Sequence, residues 1–120
     1  MTEEQTLEQL LLARWLKRSD DMLLDAGHES SSVHTRCSAA FESGYACALY
    51  ALGPAALRMS DEHPSESVLR EAAEFARIDT GPGLLYLKQG LDDPSNMPNL
   101  DTMVQWAHRM RMLVRPSAAK

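Results

Sequence analysis

The chain is predicted to be an all-α bundle of four to five helices, and three observations carry that prediction. Apolar residues recur at helical spacing through most of the 120 residues. The residues that supply the core are Ala, Leu and Met, which favour helices. The β-branched runs that strands prefer are missing, with four Val and one Ile in the whole chain. One hundred and twenty residues suit one domain. The expected division is a single helical domain over 1–116 and a frayed tail over 117–120.

The first helix is expected from about Thr2 to Ala26. Thr2 is positioned to cap it, and Glu3 and Glu4 suit the positive end of its dipole. Leu7, Leu11, Trp15, Met22 and Ala26 form an apolar stripe, joined by Leu12, Leu16 and Leu23. Arg14, Lys17, Arg18, Asp20 and Asp21 mark the wet side. Gly27 reads as a left-handed cap.

Ser30, Ser31 and Ser32 form a polar connector rich in capping groups. The second helix then runs to about Leu52, where Gly53-Pro54 stops it. Val33, Cys37, Phe41, Tyr45, Ala48 and Leu52 are its expected buried stripe. Ala40, Gly44 and Ala48 recur every four residues and stack on one side, a strip that admits another helix backbone. Pro64 lies near the first position of a third helix, whose apolar face is Val68, Leu69, Ala72, Phe75 and Ala76. Thr80-Gly81-Pro82-Gly83 reads as a breaker. Leu84 to Leu87 reads as a further helix, continued by Lys88 and Gln89 to Gly90. The last helix is expected from about Leu100 to Val114, capped by Asn99 or Asp101 and stopped by Pro116.

The formal charge of −5 and pI near 5.3 argue against a dedicated nucleic-acid binder. Cys37 and Cys47 lie ten residues apart on one helix, roughly 15 Å along the axis, too far for a mutual disulfide. Two buried free thiols fit a reducing, cytoplasmic setting. No secretory leader or membrane span is expected, and neither a cofactor nor a metal site, since no two His sit at i, i+4.

The region from Thr35 to Pro64 carries the candidate chemistry. The stretches Trp15–Leu24 and Cys37–Leu52, followed by His63 at the next helix entry, resemble the HEPN superfamily over roughly residues 10–114. The resemblance implies an up-and-down helical bundle that often dimerises. Many members are metal-independent ribonucleases of toxin–antitoxin and defence systems. Their signature is an Arg and a His separated by four to six residues. Arg58 and His63 have four residues between them and match it; Met59 departs from it, because a polar residue usually follows the Arg.

In that chemistry His63, with an ordinary pKa near 6.5, helps deprotonate a ribose hydroxyl. Arg58 stabilises charge building on the phosphate. The plainer alternative is a solvated Arg58 and a His63 that only sits beside Pro64. Asp61 and Glu62, between them, repel phosphate unless they point away, and they also suit the positive end of the following helix. His34 and Arg36 are candidates to line a groove at the start of the second helix. His108, Arg109, Arg111, Arg115 and Lys120 make the last segment basic, which suits a helix C-terminus.

Met103, Trp106, Met110 and Met112 are read either as core or as an adaptable apolar surface for self-association. The functional expectation is a HEPN-like protein of toxin–antitoxin or defence type, a homodimer, with ribonuclease action through Arg58 and His63. Its partners would be a second copy, an antitoxin or another protein, and RNA if catalytic. The alternative is a non-enzymatic helical module that binds a partner protein.

Overall fold

In the computed structural model, which describes residues 3–53, 66–92 and 98–114, the chain is an all-α bundle. Among the described residues five helices follow in order: α1 Glu3–Ala26, α2 Val33–Leu52, α3 Glu66–Ala76, α4 Gly81–Asp92 and α5 Leu100–Leu113. Among the described residues there is no strand, and no helix is long and apolar enough to cross a membrane. Arg58 and His63 lie outside the described residues, as do Thr2, Met59, Asp61, Glu62, Pro64, Arg115, Pro116 and Lys120.

The α2 helix is the hub and packs against all four others. Its composition makes that possible, because Ala39, Ala40, Ser43, Gly44, Ala46, Cys47 and Ala48 are all buried and small. Short side chains let neighbours approach from several sides at once. α1 runs antiparallel to it. Arg36 meets Ala26 near the start of α2 and Glu42 meets Arg18 further along, so rising numbers on α2 pair with falling numbers on α1.

Local chemistry sets the helix ends. Ser32 caps α2, its hydroxyl accepting from the Thr35 N–H at 3.1 Å. Asn99 caps α5 through the Thr102 N–H at 2.8 Å. Gly53 closes α2 at φ 60°, where its N–H reaches the Leu49 and Tyr50 carbonyls. Only glycine takes that conformation without steric cost. Gly27 differs from expectation. It has no positive φ, and its N–H bonds the Leu24 carbonyl at 3.0 Å in a tight turn. The α1 end is satisfied instead by Arg36, whose Nε donates to the Ala26 carbonyl at 2.8 Å.

The Thr80–Gly83 breaker is the start of α4 rather than a loop. The Asp79 carboxylate accepts from the Gly81 N–H, and the Thr80 carbonyl accepts from the Leu84 N–H at 2.9 Å. Pro82 then occupies the first turn, where a missing N–H costs nothing. The buried Thr80 hydroxyl donates to the Leu69 carbonyl of α3 at 3.1 Å and ties the two helices together.

The core centres on Trp106, which is 0% exposed. Its indole is seated between Gly44 of α2 and Gly83 of α4. A Cβ built on Gly83 would lie 2.6 Å from Trp106 Cη2, and one on Gly44 would clash with Cζ3 and Cη2 of the same ring. The indole Nε1 donates to the Asp79 carbonyl at 2.7 Å. Phe41 stacks near Tyr86 at 4.7 Å between ring centroids, with Tyr45 and Trp106 beyond. Met103 and Met110 are buried around this cluster, whereas Met112 is exposed. The small-residue strip is therefore covered from within the chain, and Gly44 faces an indole rather than a helix backbone.

Candidate functional site at the α1–α2 edge

One edge of the α1–α2 pair remains open. There a cleft of about 500 Å³ is lined by Met22, Asp25, His28, His34, Ser38 and Glu42, with Ala39 on its floor. A second recess of about 220 Å³ lies along α1 between Arg14, Arg18, Asp21 and Met22. The two share Met22, so the depression continues along α1 toward its N-terminus.

Helical geometry explains the grouping. Leu11, Arg14, Arg18, Met22 and Asp25 are spaced by three or four residues and share one side of α1, with Trp15 beside them. Leu16 and Leu23 lie on the adjoining side and pack against the core. Leu11, Trp15 and Met22 are half-buried and stand outside the core cluster. Large exposed apolar residues elsewhere include Leu10 and Leu24 on α1, Val33, Leu85, and the adjacent Met112 and Leu113 at the end of α5.

The charges along this edge are ordered. Glu42 accepts from Arg18 at 2.8 Å, bridging the two helices, and Lys17 pairs with Asp21 at 3.0 Å. Arg14 and Asp25 have no ion pair among the described residues. On the far side of α1, Asp20 receives Arg111 of α5 at 2.7 Å. The hydrogen bond that Arg111 donates to this carboxylate raises the guanidinium pKa above its ordinary value.

His34 lines the cleft as expected, but Arg36 does not, because its side chain is turned to the Ala26 carbonyl. His28 joins His34 there across the Ser30–Ser32 connector. Its lining role was hidden in the sequence, since proximity across a turn leaves no periodic signal. His108 is exposed on α5, away from both. Among the described residues no three His, Cys, Asp or Glu converge as a metal would require.

A buried polar knot lies on the inner side of the same helix pair. Ser43 Oγ donates to the Ser19 carbonyl at 2.8 Å; the Ser19 hydroxyl is 3.0 Å from Ser43 Oγ and 3.1 Å from Cys47 Sγ. Each group has one proton. With Ser43 committed to the carbonyl, its oxygen is free to accept, and the arrangement in which Ser19 donates to Ser43 and the thiol to Ser19 uses every donor. Ser19 falls in the middle of the inward face of α1, and a helical wheel of the sequence would have located it.

Burial pushes the Cys47 thiol up to about 11, outweighing the Ser19 hydrogen bond and Arg111, which act the other way. Burial also raises Cys37, against the opposing effect of Arg36. Both thiols are free and protonated, so neither is an activated nucleophile.

Comparison with protein-family models, with curated proteins and with solved structures finds no match to this chain.

Proposed function

We propose that this chain is a helical interaction module and that the α1–α2 edge is the surface it offers to a protein partner. One observation carries the reading: Leu11, Trp15 and Met22 are only partly buried and stand outside the core, and Met22 lines both recesses. A tryptophan at such a place supplies large contact area with little conformational freedom to lose, and such residues dominate binding energy. Arg14 and Asp25, which have no ion pair among the described residues, add polar contacts at the rim. The test is co-expression with the protein encoded by the neighbouring gene. The parent chain should co-purify with it and Trp15→Glu should not, with the circular dichroism spectrum unchanged. Equal recovery with both would sink the proposal.

A second reading keeps the HEPN-like ribonuclease of toxin–antitoxin or defence type. It is supported by the four-residue separation of Arg58 and His63 and by the fit of an all-α bundle to the resemblance. The reaction it implies needs no metal. RNA cleavage by the purified chain in the presence of a chelator is its test, and an inert parent chain refutes it.

A further inference from the structure

We infer that the α1 edge pairs with a second copy of itself, the two α1 helices running antiparallel across a two-fold axis near residues 19 and 20. The inference rests on reading this edge as an interaction surface and names its occupant.

The charge order along α1 supports it. The basic groups Arg14, Lys17 and Arg18 precede the acidic groups Asp21 and Asp25 on the open side of the helix. A face with one sign at each end is self-complementary when turned end for end. Arg14 and Asp25 are eleven residues apart, which is three turns and about 16 Å along the axis. They therefore project from the same side. Both are without an ion pair among the described residues, whereas Lys17 and Arg18 between them are already neutralised by Asp21 and Glu42.

An isologous contact makes every pairing twice, because residue i meets j and j meets i. Arg14 of one copy then faces Asp25 of the other at both ends of the seam. Arg18 and Asp21 face each other nearer the centre, where Glu42 tempers the approach of the two Arg18 side chains. The same register brings Trp15 within about one turn of Met22 from the second copy, an indole against a thioether. A parallel pairing would instead set Arg14 against Arg14 and Asp25 against Asp25.

Sedimentation and light scattering of the full chain test this, with Arg14→Asp, Asp25→Arg and the double exchange beside the parent. The parent should form a dimer of the 13.3 kDa chain. Each single reversal creates two like-charge contacts and should weaken dimerisation about tenfold or more. The double exchange restores opposite charges at both ends and should return to within a few-fold of the parent. Added salt should weaken the parent dimer. A parent that stays monomeric at high micromolar concentration overturns the inference, as does failure of the exchange to rescue. If the parent is monomeric while Trp15→Glu still abolishes co-purification with the neighbouring protein, the second copy is wrong and the edge remains an interaction surface. If Trp15→Glu leaves both dimer and co-purification intact, both fall.

Discussion

Replacing Gly44 by alanine sets two effects of known sign against each other. In a helix interior, Gly→Ala gains about 0.5–1 kcal/mol from backbone entropy and propensity. Here the added methyl group would clash with the Trp106 ring, with Cε3 only 2.8 Å from the new Cβ and Cζ3 and Cη2 closer still. Trp106 cannot retreat freely. Gly83 closes its other side, and its Nε1 is held by the Asp79 carbonyl. Overpacking of this kind costs about 1–3 kcal/mol before the propensity gain is subtracted. Gly44→Ala should therefore destabilise by about 1–2 kcal/mol, lowering the melting temperature by several degrees for a chain of this size.

The decisive measurement repeats the change in a Trp106→Phe background. Phenylalanine removes the outer ring that meets Gly44. The background itself should cost about 2–3 kcal/mol, through lost packing and the unpaired Asp79 carbonyl. In it Gly44→Ala should turn neutral or stabilising, recovering about 0.5–1 kcal/mol. Urea unfolding followed by circular dichroism gives all four values, and the coupling between the two sites should exceed 1 kcal/mol. An identical effect of Gly44→Ala in both backgrounds would refute the seating of Trp106 against Gly44.

The buried thiol of Cys47 predicts a pH dependence. Its folded pKa of about 11 lies above the ordinary 9.0, so its contribution is fully present below pH 9 and is lost as pH rises toward 11. The loss approaches about 2–3 kcal/mol, should vanish in Cys47→Ala, and is read from denaturant midpoints across that window. For the ribonuclease reading, His63→Ala should slow RNA cleavage by about a hundredfold or more, and Arg58→Ala comparably. Equal rates for the parent and both variants would remove Arg58 and His63 from the chemistry.

Much of the fold was legible in periodicity. α2 was expected from the Ser30–Ser32 connector to Leu52, and Ser32 is its cap. The start of α5 at Leu100 also follows from local signals, and of the two candidate caps, Asn99 and Asp101, Asn99 is the one used. The Gly81-Pro82-Gly83 run misled because breakers and helix first turns use the same residues; what decides is Asp79 and Thr80 just before them. Trp106 was ambiguous because its partners, Gly44 and Gly83, lie 62 and 23 residues away and have no side chains to signal a contact. The candidate site was legible only in pieces. Periodicity puts Leu11, Trp15 and Met22 on one apolar stripe with Ala26, whereas only Ala26 is fully buried and the other three are partly covered. Arg58 and His63 lie outside the described residues, and their pairing rests on spacing alone.

The central position of α2 has a consequence for how this sequence can change. Four neighbours leave that helix little free circumference, so most of its positions accept only residues as small as those present. α1 is held along one side, and its outer surface, with the isolated Leu10 and Leu24, is open to drift. Variation under selection for folding alone would therefore be uneven. It would be sparse around α2 and dense on the outward side of α1. Restraint at Trp15, Arg14 or Asp25, where the core asks for none, would then be the trace of a surface kept for another molecule.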